Sequence, residues 1–151
     1  MKDTNAKWLN VTPPAAIVDD ASFTTATIDT AGYDYAEIMC FFGAMDIAMV
    51  ALKVQESDDS GMANAADVTG LVYGTSTNKA GSTSSLPSAT ADNTIYGFRI
   101  NLHGRKRYLD VVATAGNGTN GTYMTVVCRL SNPELSRDTA TQSGLADVLQ
   151  I

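Results

Sequence analysis

TIYGFRINLHGRKRYLDVVATAGNGTNGTYMTVVCRL, residues 94–130, alternates apolar and polar side chains through three runs. In 94–103, Tyr96, Phe98, Ile100 and Leu102 share one side, and Arg99, Asn101 and His103 take the other. In 107–115, Leu109, Val111 and Ala113 oppose Tyr108, Asp110 and Val112. In 122–130, Met124, Val126, Cys128 and Leu130 oppose Tyr123, Thr125, Val127 and Arg129. A period of two puts each set on its own face of a strand. Gly104-Arg105-Lys106-Arg107 separates the first two runs, and Gly116-Asn117-Gly118-Thr119-Asn120-Gly121 the last two. Both segments read as hairpin turns, so the stretch predicts a three-stranded meander with a basic cluster at one tip.

Upstream, short strands are expected near 15–19 and 24–29, then a longer one over 35–43. There Ile38, Cys40 and Phe42 share one face and Met39 and Phe41 the other; two apolar faces predict a central strand. Over 48–56, Val50, Leu52 and Val54 alternate with Met49, Ala51, Lys53 and Gln55, which favours strand over the helix that the alanines and methionines of 44–52 also permit. Residues 57–93 are irregular, with a short edge strand at 68–73 and a Ser/Thr/Gly-rich loop at 78–92; long loops in small domains are often functional. About seven strands with Gly- and Asn-bearing turns predict an all-β fold, an antiparallel β-sandwich of jelly-roll type spanning 15–130. It carries an extended N-terminal arm, 1–14, ending in Pro13-Pro14, and a C-terminal arm, 131–151. In that second arm Leu145, Val148 and Leu149 have helical spacing, fitting a short helix or a clamping arm.

The chain has 151 residues, enough for one core without metals or disulfides. Its net charge of −6 and 17% charged residues argue against a general nucleic-acid binder, which needs a broad basic face. No apolar run approaches the roughly 20 residues of a membrane span. The first residues lack a signal-peptide pattern, so synthesis and retention in a cytosol are expected. Cys40 and Cys128 read as small buried hydrophobes, or as a disulfide if their strands are neighbours.

Catalytic signals are sparse. One histidine excludes a multi-histidine zinc site within the chain, and His103 sits beside three cations with no nucleophile motif around any serine. Glu56, Asp58 and Asp59, with Ser57, Ser60 and Asn64, do not match a calcium loop and read as a solvated acidic turn. Gly116–Gly121 lacks the lysine and helix of a phosphate loop, so its glycines are expected to serve left-handed turn positions. No catalytic residue, cofactor, metal or small-molecule substrate is assigned. Three adjacent cations on an acidic chain suit docking to an acidic partner, or a charged turn protecting a hairpin end. Trp8, beside Leu9 in a leader that is polar apart from these two and Val11, reads as an anchor folding onto the core or into a neighbour.

The segments Phe42–Ser57 and Gly104–Asp110 resemble short proteins from the structural modules of tailed bacteriophages, of the kind that decorate or cement the capsid. The resemblance covers residues 35–130 and excludes both tails. It implies a non-enzymatic virion protein on the capsid exterior, made in the host cytoplasm, trimeric and bridging major capsid protein subunits. Cement proteins span several unrelated folds, so the resemblance bears on role more than architecture, and it brings no binding motif. Expected partner-binding residues therefore come from the residues themselves: Trp8, Leu9, Arg105, Lys106, Arg107, Leu145 and Leu149. The alternative is a glycan- or receptor-binding sandwich of a phage tail or fibre, whose expected sign is aromatic residues on exposed loops. The loops at 74–93 and 116–121 have none.

Overall fold

β5 (Tyr33–Met45) organises the molecule. Its core-facing residues Ala36, Ile38, Cys40 and Phe42 are almost fully buried. It is flanked on one side by β8 (Thr94–Asn101) and on the other by β10 (Thr122–Pro133), both antiparallel, with Cys40 opposite Tyr96 and Val126. A computed structural model describes residues 5–12, 21–133, 144 and 146, and of 17–18 the main chain alone.

β1 (Lys7–Asn10) extends this first sheet beyond β10, giving the order β1-β10-β5-β8, and β2 (Ile17–Val18) also pairs with β10. The second sheet contains β3 (Ser22–Thr24), β4 (Ile28–Asp29), β6 (Met49–Ser57), β7 (Ala66–Val72) and β9 (Tyr108–Ala115). Its order is β3-β9-β6-β7, with β4 also on β9. When β3 and β4 are counted as one interrupted strand and β2 is left aside, eight strand positions remain. They lie as first-eighth-third-sixth in one sheet and second-seventh-fourth-fifth in the other, which is jelly-roll topology. Ile28, Leu52, Val54, Leu109, Val111, Val126 and Leu130 fill the space between the sheets.

The meander expected over 94–130 does not form. β8 pairs with β5, β9 with β3, β4 and β6, and β10 with β1, β2 and β5. Both intervening turns therefore carry the chain across the core from one sheet to the other. Inner and outer faces alternate identically in a hairpin and in such a crossover, so periodicity does not separate them. The core faces read from these runs are nevertheless those found: Phe98, Ile100, Leu109, Val111, Ala113, Met124, Cys128 and Leu130 are buried.

Val50 departs from its expected side. A bulge between Met49 and Ala51 shifts the register against β9, so Met49 turns inward and Val50 outward, 63% exposed. Cys40 and Cys128 lie on neighbouring strands but are offset: Cys40 faces Val126 and Cys128 faces Ile38. Both are free thiols, pushed up to about 12 by burial. Within the expected N-terminal arm, residues 7–10 are a strand, while Pro13 and Pro14 fall outside the described residues, as do Leu145, Val148, Leu149 and Ile151 and their expected helix or clamp. Gly144, with φ +74°, lies so close to the Trp8 main chain that a side chain there would collide with it.

Candidate binding face

The outer face of the first sheet carries the unusual chemistry. Six large hydrophobic residues are exposed among those described, and Trp8, Tyr35, Phe41, Ile95 and Tyr123 all project from this face; Val50 is the sixth. Strand register fixes their arrangement. Phe41 stands between Thr125 and Ile95, with Met39 and Val127 opposite each other in the adjacent row. Tyr123 lies over Gly43, where a Cβ would stand 3.1 Å from its own Cβ. The other end of the face is polar and ionic. Across one row run Trp8, Arg129, Glu37 and Arg99, and Tyr35 and Asn101 lie in the next. Glu37 accepts from Arg129 Nη1 at 2.9 Å and faces Arg99 Nε at 3.4 Å, while the Arg129 guanidinium lies 5.8 Å from the Trp8 ring centroid. Glu37 thus orients Arg129, whose guanidinium lies over the half-exposed indole. Leu9, one residue on, packs against the core, so of the expected pair only Trp8 offers an exposed surface.

A groove of about 580 Å3 borders this face along β8, with walls from the end of β7 and the loop after it. The Tyr73 hydroxyl donates to Gly97 O at 2.9 Å, and its ring packs edge-on against Tyr96 and Phe98. That anchoring gives the Ser/Thr/Gly-rich segment its place. Asn78 Oδ1 accepts from Ala80 N and Ser82 N, and a single bridge joins Thr77 to Thr83.

The basic turn differs. Arg105 lies 3.6 Å from Glu56, Lys106 lies 3.3 Å from Asp58, and Arg107 makes a two-pronged pair with Asp29, with Nε and Nη2 each at 2.8 Å. Arg107 holds the Asp29 carboxyl below its ordinary value, and Asp29 in turn raises the guanidinium's. Two features that looked independent in the sequence, the acidic turn after β6 and the basic turn before β9, are one ion-paired contact. Asp59 is also occupied, accepting from Gly61 N at 2.8 Å to shape its own turn. Among the described residues no three His, Cys, Asp or Glu side chains gather to hold a metal ion. His103 is exposed, its main-chain N–H donating to Asn101 Oδ1 at 3.0 Å.

The loop 116–121 encloses an anion belonging to the protein itself. Asp46 Oδ2 accepts from Thr119 N at 2.5 Å and Asn120 N at 2.6 Å, and these N–H groups, Asn120 first, lower its carboxyl's pKa. Of the three glycines only Gly121 is left-handed, with φ +75°. Gly116 and Gly118 are needed instead for close approach, because a Cβ on Gly116 would meet Ala48 O at 2.7 Å and one on Gly118 would enter the Asp46 carboxylate. On the outer face of the second sheet, Asp110 is 2% exposed and no described donor reaches its Oδ1. Burial pushes its carboxyl up to about 6, against the pull of Lys53.

Comparison with family models, curated proteins and solved structures gives no match to this chain. The geometry therefore stands alone. It brings Trp8 together with Tyr35, Phe41, Ile95 and Tyr123, none of which was singled out as a binding residue from sequence. Phe41 gave the clearest available signal, an aromatic on the second apolar face of a central strand. Leu145 and Leu149 fall outside the described residues.

Proposed function

We propose that this chain is a non-enzymatic structural protein that binds and stabilises a phage capsid, with the outer face of the first sheet as its contact surface. The observation carrying this reading is the concentration of exposed large apolar side chains on that one face. Scattered single hydrophobics need no explanation, but five of them gathered on one sheet face, three at one end and two among the charged groups of the other, point to an interaction site. Aromatic side chains and arginine are the residues most often decisive in protein interfaces, and Trp8, Tyr35, Phe41, Tyr123 and Arg129 supply both types. A rigid sandwich suits a part whose work is mechanical. The basic turn is the weaker contact, since its three cations already face carboxylates of the same chain. The resemblance noted at 42–57 and 104–110 supplies the capsid as partner, with the major capsid protein as the surface bound and a trimer as the acting form.

The test is to add purified protein to mature capsids and follow their heat resistance. A saturable rise that disappears in the Trp8→Ala, Phe41→Ala double variant supports the reading. Capsids of unchanged stability at saturating protein refute it. A second reading, glycan binding, gains from a specific feature: Trp8 and Tyr35 flank Glu37, Arg99, Asn101 and Arg129, so flat rings and hydrogen-bonding groups share one sheet face. A glycan array hit abolished by Tyr35→Ala selects this second reading.

A further inference from the structure

The groove beside β8 follows an edge to which no described strand is added, since β8 pairs with β5 alone. The bond from Leu102 N to Asp34 O, 2.8 Å, sets the phase of that ladder. Even-numbered residues of β8 exchange bonds with β5, and Ile95, Gly97 and Arg99 turn their main-chain groups outward. At the centre of this edge the Tyr73 hydroxyl already occupies Gly97 O. A complete strand cannot be added there without displacing Tyr73, so recognition falls to the ligand's side chains.

The surfaces those side chains would meet are well defined. Gly97 leaves Met39 open as a floor, because a Cβ at Gly97 would stand only 3.0 Å from Met39 Sδ. Ile95, 60% exposed, adds an apolar wall. Among the described residues the charged ones lining the groove are Lys79 and Arg99, and no carboxylate lines it. Arg99 Nε lies 3.4 Å from Glu37 and the side chain stays 71% exposed, while no described carboxylate forms an ion pair with Lys79. A protein of net charge −6 thus keeps a cationic groove with an apolar floor.

We propose that this groove takes an extended acidic segment of a protein partner, seating an apolar side chain on Met39 and a carboxylate between Lys79 and Arg99. The proposal rests on the reading of the adjoining sheet face as a partner-binding surface and names the chemistry of one part of that partner. The polarity of the groove selects: an acidic segment gains two charge-assisted contacts, and a basic one is repelled.

The probe is a fluorescein-labelled octapeptide of alternating leucine and aspartate, acetylated and amidated, compared with its leucine and lysine counterpart by anisotropy on the full chain. The acidic peptide should bind at least about tenfold tighter than the basic one, and raising salt from roughly 0.05 to 0.5 M should erase most of the difference. Lys79→Glu should remove the preference while leaving the circular dichroism spectrum and Tm unchanged. Gly97→Val should weaken both peptides by filling the floor; if it fails to fold, Lys79→Glu decides. Equal binding of the two peptides, or a preference that survives Lys79→Glu, overturns the groove assignment. Selective peptide binding without affinity for capsids upholds the groove and refutes the capsid reading. Capsid binding combined with charge-blind peptide binding refutes the groove alone.

Discussion

The two outer faces of the sandwich are built on the same principle and finished differently. On the second sheet, small and polar side chains cross-link their neighbours: Lys53 and Gln55 both donate to Asp67, at 2.8 and 2.7 Å, and Ser22 and Thr114 share a hydroxyl contact. On the first sheet, the ion network of Arg99, Glu37 and Arg129 fills one end, and Phe41, Ile95 and Tyr123 leave the other open to solvent. A face on which Val50 is the only large exposed hydrophobic among the described residues has little apolar area for a partner to cover. A face that leaves aromatic area in water gains on the order of 25 cal/mol for every Å2 that a partner covers. The contrast is the ground for proposing the outer face of the first sheet as the contact surface.

The sharpest way to break this comparison is to charge each face in turn. Phe41→Asp with Tyr123→Asp should weaken capsid binding by about 100-fold or more, as loss of aromatic interface anchors does, while Thr24→Asp on the second sheet leaves it unchanged. Equal losses from both faces would show that neither is special. The second test concerns the scaffold that holds both faces apart. Gly116→Val places atoms against Ala48 O, a main-chain atom that cannot rotate away, and should cost about 1–3 kcal/mol in urea unfolding.

A third prediction uses the buried carboxylate under the polar face. The Asp110 pKa in the fold, about 6, lies above its ordinary 3.8, so the folded chain holds that proton more tightly than the unfolded one. Its contribution is greatest below 3.8 and is lost as pH rises through the window from 3.8 to about 6. Asp110→Asn should therefore stabilise the protein at pH 8 by about 1 kcal/mol and bring no gain at pH 3.5. Unfolding of variant and wild type at both pH values measures the difference; a gain of equal size at pH 3.5 would rule out titration as the cause. The smallest effect belongs to the basic turn. Arg105→Gln breaks a partly exposed pair with Glu56 and should change stability by about 0.5 kcal/mol, with capsid binding unaltered. A large binding loss would restore this turn as a docking element.

Much of the architecture was legible because core burial writes itself into alternation. The inward sets Ile38, Cys40, Phe42 and Leu109, Val111, Ala113 are the sets that periodicity assigned. Val50 was misread because a bulge adds a residue without changing local composition. The turns at 104–107 and 116–121 were misread as hairpins because a turn's sequence records its bend and not the strands it connects. The candidate site was harder to see. Tyr35, Phe41, Ile95 and Tyr123 are spread over 89 positions and meet only through the pairing of β10, β5 and β8. The basic cluster, by contrast, was conspicuous because its members are adjacent, and its partners Glu56, Asp58 and Asp29 were not visible as partners.

By itself the sequence determined the class of fold and the buried side of the runs at 94–103, 107–115 and 122–130, since a period of two in apolar residues has one low-energy solution in water. Tertiary structure alone decided which strands are neighbours, which charges cancel and which aromatic residues share a surface. Those outcomes depend on contacts between distant positions, where loop closure and register, rather than local preference, set the free energy.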